Sequence, residues 1–125
     1  MSEVAIAENL NEILRQIDET EKKHGRPKGS VKLCAVSKFH PAESVISAMN
    51  AGQVLFGENR VQEAYEKFTS LENRNFELHI IGQLQSNKVR KAVEVASCIQ
   101  SVDRESLLEE IEKQCSKIDK KIDVL

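Results

Sequence analysis

Tryptophan is absent from the 125 residues, tyrosine occurs once and phenylalanine four times. So few flat side chains argue against a surface on which nucleic-acid bases stack. Lysine and arginine number 18 against 20 acidic residues, the net charge is −2, and the basic residues form no stripe. Nucleic acid is therefore not an expected partner. No run approaches the ~20 apolar residues that cross a bilayer. Glu3 and Glu8 sit inside the amphipathic N-terminal stretch, which lacks the basic-then-apolar order of a secretory signal. A membrane partner is not expected either. Cys34, Cys98 and Cys115 are odd in number, widely separated and never in a Cys-x-x-Cys pair. They read as reduced packing residues of a cytoplasmic protein, and a structural zinc site is not expected. Also missing are Gly-x-Gly-x-x-Gly, the Walker motif, Gly-x-Ser-x-Gly and His-Glu-x-x-His.

What is present is enough apolar sequence for one domain with a real core. Residues 3–23 form an amphipathic helix, since Ile6, Leu10, Ile13, Leu14 and Ile17 recur at three- and four-residue steps. His24-Gly-Arg-Pro-Lys-Gly29 is a loop, with His24 a solvated residue at the helix end. From Val31 a single β/α unit then repeats. The first strand precedes a helix from Pro41 to Ala51 that stops at Gly52. Val54-Leu-Phe56 is a short strand, and the helix after it carries Val61, Ala64, Tyr65, Phe68 and Leu71 on one stripe. Leu78-His-Ile-Ile81 is the third strand. Ser86 is the expected N-cap of the next helix, which carries Val89, Ala92, Val93 and Ala96. Cys98–Val102 is the fourth strand, and Asp103 is expected to cap the helix of Leu107, Leu108, Ile111, Cys115 and Ile118. Ile122-Asp-Val-Leu125 begins a fifth strand, where the sequence ends.

Such alternation predicts an α/β fold with a parallel sheet. Two architectures suit it: a small doubly wound sheet of flavodoxin or response-regulator type, or the first half of a TIM-type (β/α)8 barrel preceded by an N-terminal helix. Either would make residues 1–125 a single domain, in the barrel case a partial one. In both, function gathers at the carboxyl ends of the strands. Those ends are Ser37-Lys38, Gly57-Glu58-Asn59, Ile81-Gly82-Gln83 and Ser101-Val102-Asp103. A response regulator would need acidic residues after the first strand and an aspartate after the third; lysine and glycine stand there instead.

Val31-Lys-Leu-Cys-Ala-Val-Ser-Lys38 is the most informative stretch, a mostly aliphatic run that ends on a lysine. It reads as a strand buried on both faces, with Lys38 held at its end among apolar neighbours and away from bulk water. Desolvation there should lower the amine's pKa and favour imine formation with an aldehyde. The plainer alternative is a lysine that snorkels to water from a strand end. Gly57-Glu58-Asn59 reads as turn chemistry, or as a polar pair facing whatever Lys38 holds. His79 reads as a satisfied core histidine. The 83–91 stretch puts Lys88, Arg90 and Lys91 in the first turns of a helix, an arrangement that tolerates an anion but suits a solvated face equally.

Three segments carry a resemblance: Ala35-Val-Ser-Lys-Phe-His-Pro41, Phe56-Gly-Glu-Asn-Arg-Val-Gln-Glu63 and His79-Ile-Ile-Gly-Gln-Leu-Gln-Ser-Asn-Lys88. In that order and at that spacing they resemble the pyridoxal phosphate homeostasis protein family. The resemblance implies a barrel like the N-terminal domain of alanine racemase, the first half of it here. It also implies pyridoxal phosphate carried as an imine on the lysine matched by Lys38, with Asn59 lining the cofactor pocket. His79 and Gln85-Ser-Asn-Lys88 belong to the signature without individual roles. The implied activity is cytosolic buffering of vitamin B6, without established turnover.

Family members are close to twice this long, so the phosphate loops of the late barrel lie beyond this sequence, and cofactor binding is expected to be weak or lost. An open half-barrel is expected to self-associate or to be a piece of a longer parent. Two alternatives stand beside the carrier. One is a pyridoxal-phosphate racemase, which needs a second acid/base group that nothing here nominates. The other is a barrel fragment that no longer retains the cofactor.

Overall fold

Ser2 opens the first helix, α1 (Glu3–Lys23), by accepting the Ala5 N–H on its Oγ at 3.1 Å, which satisfies one of the donors a helix start leaves free. The computed structural model describes residues 2–71 and 73–125. Its elements after α1 are β1 (Ala35–Val36), α2 (Ala42–Asn50), β2 (Leu55–Glu58), α3 (Val61–Thr69) and β3 (Glu77–Ile80). A 3₁₀ turn (Ser86–Lys88), α4 (Val89–Val95), β4 (Cys98–Ile99), α5 (Glu105–Lys117) and β5 (Asp123–Val124) complete the order. The bounds of α1 are those its periodicity predicts.

All four strand pairings are parallel, and the order across the sheet is β1-β2-β3-β4-β5. That order decides between the two expected architectures. A doubly wound sheet places its first strand between two others, whereas among the described residues β1 pairs only with β2 and each later strand adds to the same side. The fold is a partial (β/α) barrel.

Register divides the sheet into two faces. Ala35 pairs with Phe56 and Phe56 with Leu78, and alternation puts Ile80 and Ile99 on the same side. These residues meet Ala64, Phe68, Val89, Val93, Leu107 and Ile111 of the helices in one buried core. Phe68 lies between Phe56 and Phe76, with ring centroids 5.8 and 5.0 Å away at tilted angles, a geometry that adds about 0.5–1.5 kcal/mol per pair beyond area burial. The other face carries Val36, Gly57, His79 and Cys98. A Cβ on Gly57 would stand 2.9 Å from Cys34 Sγ and 3.1 Å from Ile81 Cδ1, so glycine there lets neighbouring side chains close over β2.

Several boundaries differ from expectation. The 31–38 stretch pairs as a strand over two residues only, and it is not buried on both faces: Val31 is 44% and Val36 48% exposed. Val36 lies on the sheet face opposite the helix layer. The buried amide of Gln53 donates to Leu33 O and Leu55 O, both at 2.7 Å. Pro41 stands one residue ahead of α2, and β2 runs on through Gly57-Glu58. β4 ends at Ile99 rather than Val102. Ser86 and Asp103 cap nothing: Ser86 begins the 3₁₀ turn, and the Asp103 carboxylate accepts from Arg104 at 2.9 Å while α5 starts at Glu105 without a side-chain cap.

Glu21 is a buried residue that periodicity did not single out. Its carboxylate accepts the Val31 N–H at 2.8 Å, the Gly29 N–H at 3.2 Å and Ser30 Oγ at 3.3 Å, tying the loop before β1 to α1. The Val31 bond foremost holds this carboxyl below its ordinary value. No helix among the described residues is long and apolar enough to cross a membrane.

Candidate functional site

Parallel strands deliver their carboxyl ends to one rim. Lys38 follows β1 and Asn59 follows β2, and these strands are neighbours, joined at this end by the Ser37 N–H to Gly57 O bond at 3.1 Å. The two candidate residues therefore share the rim. Lys38 sits in a tight turn closed by the His40 N–H on Ser37 O at 3.1 Å. The following residue, Phe39, has φ +66°, a left-handed backbone that costs a residue with a Cβ about 1–2 kcal/mol.

Lys38 is exposed, not dry as its neighbours in sequence suggested. The face on which β1 ends is open: Val36 is half exposed and Phe39 is 76% exposed. The amine lies 6.0 Å from the centroid of the Phe39 ring. Among the described residues no hydrogen bond or ion pair engages it, which leaves a primary amine accessible at the rim.

Asn59 is half-buried and its backbone touches the neighbouring loop. A Cβ on Gly82 would lie 2.6 Å from Asn59 O and 2.9 Å from its Cα, so only glycine permits this approach. The Gly82 carbonyl is in turn held by Ser101 Oγ at 2.6 Å. Between these two loops lies a cleft of about 360 Å³, lined by Asn59, Arg60, Gln62, Gln83 and Lys88 among others. On the open face His79 Nδ1 pairs with Gln100 Nε2 at 2.7 Å. One ring nitrogen of the histidine is thus engaged, and the residue is half-buried in the sheet rather than enclosed in the core. Lys91 reaches Gln62 Oε1 at 2.9 Å and lies 5.3 Å from the Tyr65 ring, and Arg90 lies 3.7 Å from Glu94.

Glu58 does not join Asn59 at the rim. Alternation from Phe56 turns its carboxylate into the helix layer, where it is 0% exposed. There Lys67 of α3, itself buried, donates to Glu58 Oε2 at 2.8 Å, to Ser37 O at 2.7 Å and to Glu63 Oε1 at 3.3 Å. Ser37 Oγ also donates to Glu58 Oε2, and the Phe39 N–H donates to Glu63 Oε1 at 2.7 Å. For Glu63, burial is the largest single influence and raises the pKa. The Phe39 N–H, the Lys67 charge and further side-chain hydrogen bonds together outweigh it, leaving the carboxyl below its ordinary value. Glu58 Oε1 has no hydrogen-bond partner among the described residues. Ser37, named at the end of the first strand, and Glu63, the last residue of the second resembling segment, are joined here by Lys67, which the apolar pattern does not single out. Among the described residues no group of three or more His, Cys, Asp or Glu side chains is arranged to hold a metal ion.

No protein-family model matches the chain. Individual proteins do. It is 42% identical over 111 residues to the pyridoxal phosphate homeostasis protein of Haemophilus influenzae, covering 87% of this chain and 47% of that one. Against the protein of the same name from Pasteurella multocida the identity is 38% over 124 residues, covering 98% and 53%. Among solved structures, PipY of Synechococcus elongatus PCC7942 with pyridoxal phosphate bound superposes with a TM-score of 0.80 at 39% identity. That match covers 95% of this chain and 52% of PipY. The chain thus spans about half the length of the curated relatives it matches. In sequence and in fold, nearly all of this chain is thus similar to about half of the pyridoxal phosphate homeostasis proteins of these organisms and of PipY.

Proposed function

We propose that the chain binds pyridoxal phosphate through an imine between the cofactor's aldehyde and the Lys38 amine, and that it serves vitamin B6 homeostasis by holding the cofactor rather than by turning over a substrate. When bound, the group supplies an aldehyde that condenses with a primary amine and releases water. The donor set fits that attachment. Lys38 offers an amine that no carboxylate engages among the described residues, and Asn59 brings a carboxamide to the same rim. The single observation that carries the reading is this unengaged amine at the carboxyl end of the first parallel strand, in a chain related to PipY, whose structure holds pyridoxal phosphate.

The proposal assigns Asn59 a place beside the cofactor and assigns no described residue to its phosphate. It takes residues 1–125 as a single partial barrel domain. It also places the protein in the cytoplasm, to which three free cysteines are suited. The test is a titration with pyridoxal phosphate followed by absorption spectroscopy. The chain should develop a visible imine band that Lys38→Ala abolishes, without exchanging the α-proton of added amino acids. A band that persists in Lys38→Ala refutes the attachment, and α-proton exchange refutes the holding role in favour of a racemase-type enzyme.

A further inference from the structure

We propose that Lys67 is a positioning residue for Lys38: through Glu58, Glu63 and Ser37 it fixes the two residues that flank the cofactor-bearing lysine. The inference deepens the reading of Lys38 given above and rests on it. An ammonium group has three protons to donate, and Lys67 uses them on Ser37 O, Glu58 Oε2 and Glu63 Oε1. Each acceptor leads back to the turn. Ser37 O also closes the turn by accepting the His40 N–H. Glu58 Oε2 also accepts Ser37 Oγ, and Glu63 Oε1 also accepts the Phe39 N–H. The side chain and carbonyl of the residue before Lys38 and the amide of the residue after it are thus held from the helix layer. Among the described residues, no hydrogen bond or ion pair engages Lys38 itself.

Lys67 suits positioning better than plain structural support. A buried ion pair is a costly way to fill space, because apolar residues of similar shape often replace it at no loss of stability or with a gain. Here two of the pair's hydrogen bonds end on Ser37, and Glu63, which Lys67 also holds, accepts the Phe39 N–H. Phe39 meanwhile occupies a left-handed conformation while exposing its ring to solvent, so its own side-chain packing does not hold it there. A strained residue persists when its surroundings over-determine it, and the Glu63 carboxylate on the Phe39 N–H supplies that constraint. The turn aims the lysine with its backbone, and the ion-paired cluster fixes the backbone.

The experiment compares the unsubstituted chain with Lys67→Met/Glu58→Gln, which removes both buried charges together, and with Glu63→Gln, whose side chain is partly exposed. Lys67→Met alone would strand the Glu58 charge and is the variant at risk of not folding. Two readouts are taken at a temperature well below the melting transition. The first is amide hydrogen exchange of the cofactor-free proteins. Protection at Phe39 and His40 should fall at least tenfold in the paired variant while the β2 and β3 amides keep theirs. The second is the imine band with added pyridoxal phosphate. The paired variant should need about tenfold or more cofactor for half-saturation, with a shifted pH midpoint, and Glu63→Gln should fall between the two, since small displacements of a reacting group carry large penalties. Unchanged exchange at Phe39 and His40, or an unchanged band and midpoint in the paired variant, overturns this inference alone. Absence of any Lys38-dependent band in the unsubstituted chain overturns the reading of Lys38 as the attachment point and this inference with it.

Discussion

Gly82→Ala is the substitution that most sharply joins the geometry of the rim to its proposed use. The new Cβ would stand 2.6 Å from Asn59 O, where ordinary contact begins at 3.4 Å, and 2.9 Å from Asn59 Cα. The obstacle is backbone, so no rotamer change relieves it, and the loops after β2 and β3 must part by roughly 0.8 Å. Overpacking of this kind costs about 1–3 kcal/mol, which for a chain of this size lowers the melting temperature by about 5–15 °C. The loop that moves carries Asn59, and a displacement approaching 1 Å at a binding group weakens its contribution by up to about a hundredfold. Thermal melts and pyridoxal phosphate titrations of the two proteins read both effects. Equal melting temperatures would refute the close approach of Gly82 to Asn59. A lowered melting temperature with an unchanged titration curve would keep the contact and remove Asn59 from the pocket.

Two further outcomes follow from single residues. Glu21 is ionised and hydrogen-bonded in the folded chain with its pKa below the ordinary 4.5, so its contribution is complete above that pH and is lost as pH falls through the lowered folded value. Glu21→Gln should therefore be less stable than the unsubstituted chain at pH 7 in urea titrations, with the gap closing below pH 4.5; a gap independent of pH would show that the charge is immaterial. At Phe39, where φ is +66°, Phe39→Gly should exceed Phe39→Ala in unfolding free energy by about 1 kcal/mol, because glycine alone lacks the Cβ that strains this conformation. An alanine variant as stable as the glycine one would contradict the strained turn.

The sequence makes the fold legible where periodicity is long. The apolar spacing of Ile6 to Ile17 locates α1 to the residue, and β/α alternation predicts the parallel sheet. Strand order is not a property of local sequence, so the choice between a doubly wound sheet and a barrel waits for the pairing of β1 with β2 alone. Burial of β1 differs from expectation for a related reason: an aliphatic run records what a strand can bury, not whether another layer arrives to cover it. Hence Val36 and Lys38 are exposed despite their apolar neighbours.

The cluster around Lys67 has a signature in the sequence. Lys67 falls three residues after Ala64 and four before Leu71, on a stripe that is otherwise apolar, and Glu63 precedes it by one helical turn. Glu58 alternates with Phe56 and so belongs to the core face of β2. A buried lysine position and a buried glutamate position at the same end of one β/α unit each imply the other. By contrast, nothing local to Gly82 reveals that it makes room for the backbone of Asn59, since that contact exists only between two strands already paired.

Borohydride reduction of the chain after incubation with pyridoxal phosphate, followed by peptide mass mapping, tests the central claim most directly. The reduced adduct should fall on the peptide that contains Lys38 and disappear in Lys38→Ala. An adduct confined to any other lysine, or none at all, contradicts the claim that this amine is where the cofactor is held.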